Sequence, residues 1–294
     1  MTVMQALDTK TTSSPSLLGA GGLTRRDYDR LAHFIQNYSG IKMPPNKITM
    51  VEGRLRRRLR ATGYTSFADY CHYLFEQNGL DNEAVHLIDA VTTNKTEFFR
   101  EADHFRLLRQ QVLADLMANR RGTGPLKFWS AASSTGAEAY TLAMVLSDAR
   151  ETWPQLRTSI IATDICTEVL QSAVLGIYPE NMLAPIPADF RRRYVMQAKD
   201  RRSGTIRLVP ELRSQVQFAR LNLMDENYPV EKDQDVIFCR NILIYFDKET
   251  QFGVLTRLCD HLRVGGYLFM GHSETLAGFN LPLKLVGPTV FQRV

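Results

Sequence analysis

Residues 126–144 read LKFWSAASSTGAEAYTLAM: a short apolar run, a turn of small residues and then a helical pattern. This order is typical of the strand, turn and helix that bind a nucleotide cofactor in a parallel α/β sheet. The turn holds one glycine, Gly136, whereas turns that cradle a dinucleotide pyrophosphate carry the glycine-rich pattern G-x-G-x-x-G. The sequence therefore predicts a cofactor site that does not have to hold a pyrophosphate.

The chain after residue 125 continues the same alternation of strand and helix. Helical patterns over about 137–150, 167–175 and 248–263 separate short β-rich runs, which are LKFWSA, SIIATDI, VQFARLN, DVIFCRN and GYLFMG. Such alternation predicts an α/β fold, a mostly parallel sheet with helices on both faces. The last two runs, LKLVG and TVFQRV, are joined by a Pro-Thr turn and predict an antiparallel hairpin at the sheet edge.

Residues 24–92 repeat apolar residues at helical spacing, which predicts an all-helical domain. Thr24 and Ser66 are the predicted N-caps, because their hydroxyls can accept hydrogen bonds from the first turn of a helix. Gly63 and Gly79 are the predicted helix stops.

The predicted organisation has four parts and one insertion. The parts are a flexible tail over 1–23, the helical domain over 24–92, a linker with a connecting helix over 93–124 and the sheet domain over 125–294. The sheet domain is interrupted over about 176–215 by a stretch rich in arginine and turn residues, with a small hairpin around Ser203-Gly204. Long stretches of this kind are usually functional or disordered.

The composition indicates a soluble, cytoplasmic, globular protein. Of the 294 residues 44% are hydrophobic and 23% are charged, and no run approaches the roughly 20 apolar residues that cross a bilayer. The four cysteines form no C-x-x-C pair and none lies near a histidine at metal-ligand spacing, so we expect free thiols and no metal site. The formal net charge of +5 favours an acidic partner.

Two acidic residues lie where the first two predicted strands end. Glu138 falls in the first turn of a helix, where it can attract an ammonium group, and Asp164 can accept hydrogen bonds from both hydroxyls of a ribose. S-adenosylmethionine carries an ammonium group and a ribose and has no phosphate, so we predict it as the cofactor. The alternative is that Glu138 only stabilises its helix and that Asp164 only caps the next one.

Polar side chains also follow the third and fourth predicted strands. Asn222 follows the third strand, and Arg240 and Asn241 follow the fourth. The side-chain amides of Asn222 and Asn241 can hydrogen-bond an adenine edge or a carboxylate. Asn241 is followed by Ile-Leu-Ile-Tyr, whereas base-directed N-methyltransferases tend to carry an Asn/Asp-Pro-Pro-aromatic run at this place. This difference disfavours methylation of a nucleic-acid base.

The linker TTNKTEFFRE lies between the two predicted domains, where ligand sites are common. Asn94 and Thr96 are candidate ligand contacts, and Arg100 is a candidate for a forked contact with a carboxylate. The alternative is that Phe98 and Phe99 pack between the domains and that Arg100 is a surface residue in an ion pair.

The run RLRRRLR, which begins at Arg54, places five arginines on little more than two helical turns. Leu55 and Leu59 stack on the predicted buried face, whereas Arg54, Arg57 and Arg58 share an outer face. A basic outer face is either a solvated surface or a dock for an acidic helix or nucleic acid. A second basic zone lies in the insertion, at Arg191–Arg193 and Arg201-Arg202.

Six motifs spread over about 24–294 support one resemblance: NKTEFFRE, WSAASSTGAEAYTLAM, ATDICTEVLQSAVLGIY, FARLNLMD, FCRNILIYFDKETQ and GGYLFMGHSETL. Together they resemble the chemotaxis receptor methyltransferases (CheR). The resemblance implies a helical N-terminal domain, a Rossmann-like methyltransferase sheet and a small β-subdomain inserted in that sheet. It also implies transfer of a methyl group from S-adenosylmethionine to glutamate side chains on the cytoplasmic helices of chemoreceptors.

The resemblance further implies roles for residues that match the family's motifs. The implied cofactor contacts are Asn94, Thr96, Arg100, Glu138, Asp164, Asn222, Leu223, Arg240 and Asn241. Tyr245 matches a family tyrosine near the methyl-transfer site, and with Arg100 it is the implied catalytic pair, acting by positioning. The implied receptor contacts lie on the basic second helix, at Arg54, Arg57 and Arg58.

The sequence departs from the family pattern at two places. Ala137 and Ala139 stand where the family often has Glu and Pro, and the stretch QAKDRRSG has fewer glycines than the turn with which some members bind a receptor pentapeptide. Two alternatives to receptor methylation remain, an RNA methyltransferase and a non-catalytic scaffold that binds S-adenosylmethionine. We expect a monomer that is not inserted in a membrane and has no nucleic-acid partner, with an anionic regulator or adaptor protein as a further candidate partner.

Overall fold

The structure, a computed structural model, describes residues 21–120, 122–198 and 200–294. Most of the predicted tail, 1–23, lies outside the described residues. Leu23, at the end of that segment, is buried in the core of the helical domain. No helix of the described ranges combines the length and the apolar character that crossing a bilayer requires.

Four helices form the N-terminal domain: α1 (Arg25–Ser39), α2 (Ile48–Thr62), α3 (Phe67–Glu76) and α4 (Leu80–Val91). The hydroxyls of Thr24 and Ser66 each accept a 3.1 Å hydrogen bond from the backbone amide three residues later, as expected of N-caps. Gly63 ends α2 with a φ of 80°. The predicted stop at Gly79 is wrong for α3, which already ends at Glu76, and Gly79 directly precedes α4.

The linker leads into a connecting helix with a π-helical turn in its middle. The segments α5 (Ala102–Leu107), the π turn (Leu108–Val112) and α6 (Leu113–Ala118) follow one another without a break. Phe105 and Leu116 are buried against one face of the sheet. Glu101, just before α5, has a φ of 56°, so the chain bends sharply where the linker enters the helix.

The remaining strands and helices lie in the C-terminal domain. The strands are β1 (Leu126–Ala131), β2 (Thr158–Asp164), β3 (Ile177–Pro179), β4 (Val195–Gln197), β5 (Thr205–Leu208), β6 (Val216–Arg220), β7 (Gln234–Cys239), β8 (Leu262–Met270), β9 (Leu283–Gly287) and β10 (Val290–Arg293). The helices are α7 (Ala137–Ala149), α8 (Thr167–Leu175), α9 (Ala188–Tyr194), α10 (Pro210–Arg213) and α11 (Lys248–His261).

Seven strands form one sheet in the order β6-β2-β1-β7-β8-β10-β9. The first five run parallel, and β10 is antiparallel to both of its neighbours. Strands β3, β5 and β4 form a separate antiparallel sheet within the insertion. The predicted fold class is therefore confirmed, including the edge hairpin and the small β-subdomain. The strand order reverses between β1 and β7, which is where ligands bind in open α/β sheets.

The sheet buries an apolar core on each face. On one face, Trp129 and Ile237 belong to the same core as Leu255 of α11 and as Leu31 and Val51 of the helical domain. The other face packs against α7, the connecting helix and the inserted β-subdomain. The helical domain and the sheet therefore share one continuous core, which holds the two domains together at the edge where the strands end.

Candidate functional site

A cleft opens at the carboxyl edge of the sheet, beside the reversal between β1 and β7. The helical domain closes the opposite wall with Ile41, Met43, Lys47 and Met50. The cleft encloses about 1050 Å³ of space not filled by protein atoms, part of it open to solvent. A concave site of this kind, lined by both apolar and polar side chains, is typical of a place where a small molecule binds.

The residues predicted to contact the cofactor all line this one cleft. They are Asn94, Thr96, Arg100, Glu138, Asp164, Asn222, Leu223, Arg240 and Asn241. Tyr245 lines it as well. Segments far apart in the sequence meet here because the carboxyl ends of parallel strands lie at the same edge of a sheet.

The turn after β1 has an unusual backbone conformation. Ala132 (φ 58°) and Ser134 (φ 51°) occupy the left-handed region although neither is glycine. Such residues cost about 1–3 kcal/mol each and cluster at functional sites. The amide of Ser134 donates to Oδ2 of Asp164 at 2.8 Å, and its hydroxyl donates to the carbonyl of Asn94 at 2.8 Å. These bonds hold the turn against β2 and the linker.

Gly136, the single glycine of this turn, has a packing role. Its φ is 83°, and a Cβ at this position would lie 2.9 Å from Cβ of Ala173 and 3.0 Å from Cζ of Phe218. The glycine thus lets the turn approach α8 and β6 closely, and it does not line the cleft. The ligand-facing part of the turn is instead Ala132 to Ser134.

Glu138 is buried at the floor of the cleft. One carboxylate oxygen accepts a hydrogen bond of 2.6 Å from the hydroxyl of Ser130, and the other accepts one of 2.7 Å from Nε of Arg240. The side chain of Arg240 is only 2% exposed. Its guanidinium group therefore holds Glu138 in place. Arg240 also lines the cleft, and its implied contact with the cofactor stays a prediction.

Arg240 also holds the linker. Its Nη1 donates to the carbonyl of Arg100 at 2.9 Å, to Nδ1 of His104 at 2.9 Å and to Oε2 of Glu101 at 3.3 Å. With Nδ1 as acceptor, His104 carries its proton on Nε2, which lies 3.2 Å from the carbonyl of Pro288. Burial, and then the charge of Arg240, lower the pKa of His104 to about 4. Sequence reasoning missed Glu101 and His104.

Glu101, His104 and His272 place potential metal-ligand atoms within 4.8 Å of one another. The guanidinium group of Arg240 already contacts two of these three residues. A cation therefore lies among them, and a metal ion would have to compete with it. We interpret the cluster as a set of residues that holds the Arg240 side chain in place, and not as a metal site.

Asp164 is buried beside the turn that follows β1, and both of its carboxylate oxygens accept hydrogen bonds from backbone amides. The amide of Ser134 donates at 2.8 Å and that of Cys166 at 2.9 Å. Burial raises the pKa of Asp164, and the backbone bonds oppose this effect. Because Cys166 directly precedes α8, the carboxylate fixes the start of that helix while it also lines the cleft.

Two amide side chains tie separate segments together at the cleft. Asn222 donates through Nδ2 to the carbonyl of Tyr38 at 2.6 Å, which joins the loop after β6 to the helical domain. Asn241 (φ 60°) donates through Nδ2 to Glu101 at 3.0 Å. Each Nδ2 keeps a second hydrogen for a ligand. Leu223, next to Asn222, is buried.

Glu274 fixes the loop that follows β7. Its buried carboxylate accepts hydrogen bonds of 2.7–3.0 Å from the amides of Gly271, Asn241, Ile242 and Leu243. Burial raises its pKa, and the four backbone bonds oppose this effect. Sequence reasoning missed this residue, although it lies in the quoted motif GGYLFMGHSETL.

Arg100 and Tyr245 keep their polar ends available in the cleft. The guanidinium group of Arg100 donates to the carbonyl of Lys95 at 3.2 Å and has no carboxylate partner among the described residues. The ring of Tyr245 lies 5.8 Å from Nζ of Lys47, and its hydroxyl makes no hydrogen bond within the described ranges. Thr96 lines the same space.

Two family sequence models match the chain over these two domains. The model described as CheR methyltransferase, all-alpha domain, matches residues 26–92, and the one described as CheR methyltransferase, SAM binding domain, matches residues 94–291. The chain belongs to the CheR methyltransferase family. It is therefore an enzyme that uses S-adenosylmethionine (SAM) as its methyl donor.

Three CheR relatives match over almost their full length. The chemotaxis protein methyltransferase of Escherichia coli is 40% identical over 269 residues, which cover 92% of this chain and 91% of that protein. Chemotaxis protein methyltransferase 2 of Pseudomonas aeruginosa is 38% identical over 269 residues, with 91% and 93% covered. The chemotaxis protein methyltransferase of Borreliella burgdorferi is 34% identical over 274 residues, with 92% and 95% covered.

The CheR cleft fits S-adenosylmethionine by its chemistry. Oγ of Ser133 is buried at the cleft and has no hydrogen-bond partner among the described residues, so it is available to a ligand. Glu138 and Asp164 bring two carboxylates to the floor, a set that favours an ammonium group and hydroxyls over phosphates.

The sequence predicted that the arginines of α2 share an outer face, but in this CheR protein two of them form contacts within the structure. Arg54 donates to the carbonyls of Val91 and Thr92 and so closes the end of α4. Arg58 forms two bonds to Glu83, whose side chain is 6% exposed. These two contacts are internal, because α4 lies directly across from this side of α2.

Arg57 is the one member of the predicted receptor-contact trio on the surface. Its side chain is 69% exposed and pairs with Glu168 at the start of α8. An exposed pair of this kind contributes little to stability. Arg57 is therefore free to exchange its partner for an external acidic group.

Proposed function

We propose that this CheR enzyme methylates glutamate side chains on the cytoplasmic helices of chemoreceptors and works as a monomer in the cytoplasm. The proposal depends on one observation: the cleft contains two side chains whose polar ends are available to a ligand and, beside them, two carboxylates that the protein holds in place. Arg100 and Tyr245 have free polar ends, while Glu138 and Asp164 are fixed beside them. The relatives are chemotaxis protein methyltransferases, which supports chemotaxis as the setting.

In this proposal the cofactor is held by groups on both walls. Glu138 faces the ammonium group and Asp164 faces the ribose hydroxyls, with Arg100 near the cofactor carboxylate. Arg240 acts on the cofactor indirectly, because it donates hydrogen bonds to the carboxylate of Glu138 and to the backbone carbonyl of Arg100. The other predicted contacts complete the pocket: Asn94, Thr96, Asn222, Leu223 and Asn241.

Methyl transfer to a carboxylate requires the reactants to be aligned, and it requires no general acid or general base. Bound S-adenosylmethionine supplies a methyl group that its sulfonium already activates. The acceptor glutamate has an ordinary pKa of about 4.3, so it is ionised at neutral pH and no side chain has to remove a proton. The contribution of Arg100 and Tyr245 is to position the reactants, and that of the helical-domain wall is to exclude water.

The direct test is incubation with tritium-labelled S-adenosylmethionine and a chemoreceptor cytoplasmic fragment. We expect label that base releases as methanol, because a glutamyl methyl ester is labile to base. The matched control is the same fragment with its candidate glutamates replaced by alanine, which should accept no label. Failure of several intact fragments to accept a methyl group would refute the proposed substrate.

The RNA alternative is less well supported. The basic helix α2 was the main feature in favour of RNA. Two of its arginines, Arg54 and Arg58, instead form hydrogen bonds within the protein. The same labelled assay with structured RNA should give no transfer. A non-catalytic scaffold is excluded by membership of a methyltransferase family.

A further inference from the structure

The loop after β7 exposes an apolar side chain at the rim of the cleft. Ile242, Tyr245 and Phe246 line the cleft, whereas Ile244 between them is 49% exposed. Glu274 accepts hydrogen bonds from three backbone amides of this loop and so holds its backbone in place. A large aliphatic side chain is thus presented to solvent from a fixed backbone.

Phe252 of α11 extends this apolar surface. It is 43% exposed, and its ring centroid lies 5.8 Å from that of Phe279. The helix is tied to the loop because Gln251 donates to the carbonyl of Leu243 at 2.9 Å. We call these side chains, Ile244 on the loop and Phe252 with Phe279 beside it, the apolar ledge.

Lysine side chains frame the apolar ledge. Nζ of Lys248 lies 4.9 Å from the ring centroid of Phe279. Lys42 is exposed next to the loop, and its backbone amide donates to the carbonyl of Tyr245 at 2.9 Å. Lys47 lines the cleft beside the Tyr245 ring. The surface therefore combines apolar side chains with positive charge at its border.

One acidic side chain within this border is already engaged. Asp247 caps α11, since its carboxylate accepts a hydrogen bond of 2.8 Å from the amide of Thr250. The charge of Lys42 helps to lower the pKa of Asp247, after the larger effect of its bonds to Thr250. Glu249 follows on the first turn of α11. The border therefore carries three lysines, Lys42, Lys47 and Lys248, against two acids, Asp247 and Glu249, and Glu249 has no ion-pair partner among the described residues.

We propose that the apolar ledge is the docking surface for the substrate segment, an acidic amphipathic helix of the receptor. Its apolar side would cover Ile244 and Phe252, and its carboxylates would face Lys42 and Lys248. A helix seated there passes Tyr245, so one of its glutamates reaches the mouth of the cleft. This inference rests on the proposed function and adds the surface that selects the substrate.

The test compares Ile244→Glu and Phe252→Glu with a matched control, Val264→Glu. Val264 is 66% exposed, and it lies near the start of β8, at the opposite edge of the sheet from the cleft. We expect each ledge variant to raise the KM for a receptor fragment about tenfold or more. The KM for S-adenosylmethionine and the Kd for S-adenosylhomocysteine should not change, and the control should match the wild type.

The outcomes separate this inference from the proposed function. If the wild type methylates the fragment and both ledge variants keep its KM, the docking surface is wrong and the function stands. If the wild type methylates no fragment, the proposed function fails first. The double variant Ile244→Ala/Phe252→Ala guards against misfolding and should show a smaller rise in the same KM. A wild-type dimer that Ile244→Glu dissociates, with the fragment KM unchanged, would assign the ledge to a second copy and overturn the proposal.

Discussion

Nε of Arg240 lies 2.7 Å from Oε2 of Glu138, in an ion pair buried beneath the cleft. The pair joins the end of β7 to the first turn of α7, the two elements that flank the reversal of the strand order. The same guanidinium group holds the linker through the carbonyl of Arg100. The three segments that form the cleft floor therefore meet at one side chain.

Replacement of Arg240 by methionine should destabilise the protein by about 3–5 kcal/mol, because Glu138 would stay buried without its partner. Glu138→Gln removes the charge and keeps the shape, so we expect a smaller loss of stability and weaker binding of S-adenosylhomocysteine. Urea unfolding and titration calorimetry measure the two effects. A methionine variant as stable as the wild type would contradict the structural role of the pair.

Arg100→Ala should leave stability within about 0.5 kcal/mol of the wild type, because the guanidinium group makes one hydrogen bond, to a carbonyl. Methyl transfer should fall by about a hundredfold or more, since a charged contact to the reactants is lost. Labelled-methyl transfer rates test this. Arg106→Ala is the matched control, because Arg106 is 67% exposed and, among the described residues, forms an ion pair only with the exposed Asp103. Near-normal turnover of Arg100→Ala would exclude the positioning role.

Glu274→Ala should destabilise the protein by about 3 kcal/mol or more, because it leaves four backbone amides without their acceptor. Glu274→Gln keeps one carbonyl oxygen as acceptor and should lose less. Both variants should also lower kcat, since the loop carries Tyr245. Thermal unfolding and steady-state rates are the measurements, and Thr275→Ala, next to it on the surface, is the control. An alanine variant with normal kcat would show that the loop positions nothing.

Protonation of His104 should make the protein less stable in acid. The folded-state pKa is about 4 against an ordinary value of 6.5, so between these values the unfolded chain binds more protons. The free energy of unfolding should therefore fall on the order of 3 kcal/mol as the pH drops from 6.5 to 4. Urea unfolding across this range measures the slope. His104→Gln should flatten it, whereas the exposed His33→Gln should leave it intact.

Arg57→Glu and Arg58→Glu should affect different properties, the first substrate binding and the second the stability of the fold. Arg57 is exposed, so reversal of its charge should raise the KM for a receptor fragment and spare stability. Arg58→Glu should destabilise the fold by about 3 kcal/mol or more, because Glu83 is buried and would face a like charge. Unfolding curves and fragment KM values separate the two. Equal loss of stability in both variants would show that Arg57 is structural as well.

Much of the fold could be predicted because local signals decide it. The hydroxyl caps at Thr24 and Ser66 mark helix starts by direct hydrogen bonds to the next turn. The alternation of strands and helices predicts a parallel sheet, and the ends of such strands must share one edge. For this reason Asp164 and Asn241, which follow two different strands, line the same cleft.

The remaining features depend on partners that no local pattern reveals. Helical spacing shows that Arg54 and Arg58 share a face, but it does not show that α4 covers that face with Glu83 and free carbonyls. No local pattern marks Glu274 either. Its role depends on the amides of Asn241, Ile242 and Leu243 in a different loop, which only tertiary structure brings within 3.0 Å.

The bond between the amide of Lys42 and the carbonyl of Tyr245 limits how this enzyme can be recombined with its relatives. It crosses from one domain to the other at Tyr245, a residue that lines the cleft and that the proposed function assigns to positioning the reactants. A chimaera joined near residue 93 would inherit Lys42 and Tyr245 from different parents, and any mismatch in loop length would shift the tyrosine. Exchange of the helical domain should therefore alter turnover even when every cofactor contact comes from one parent.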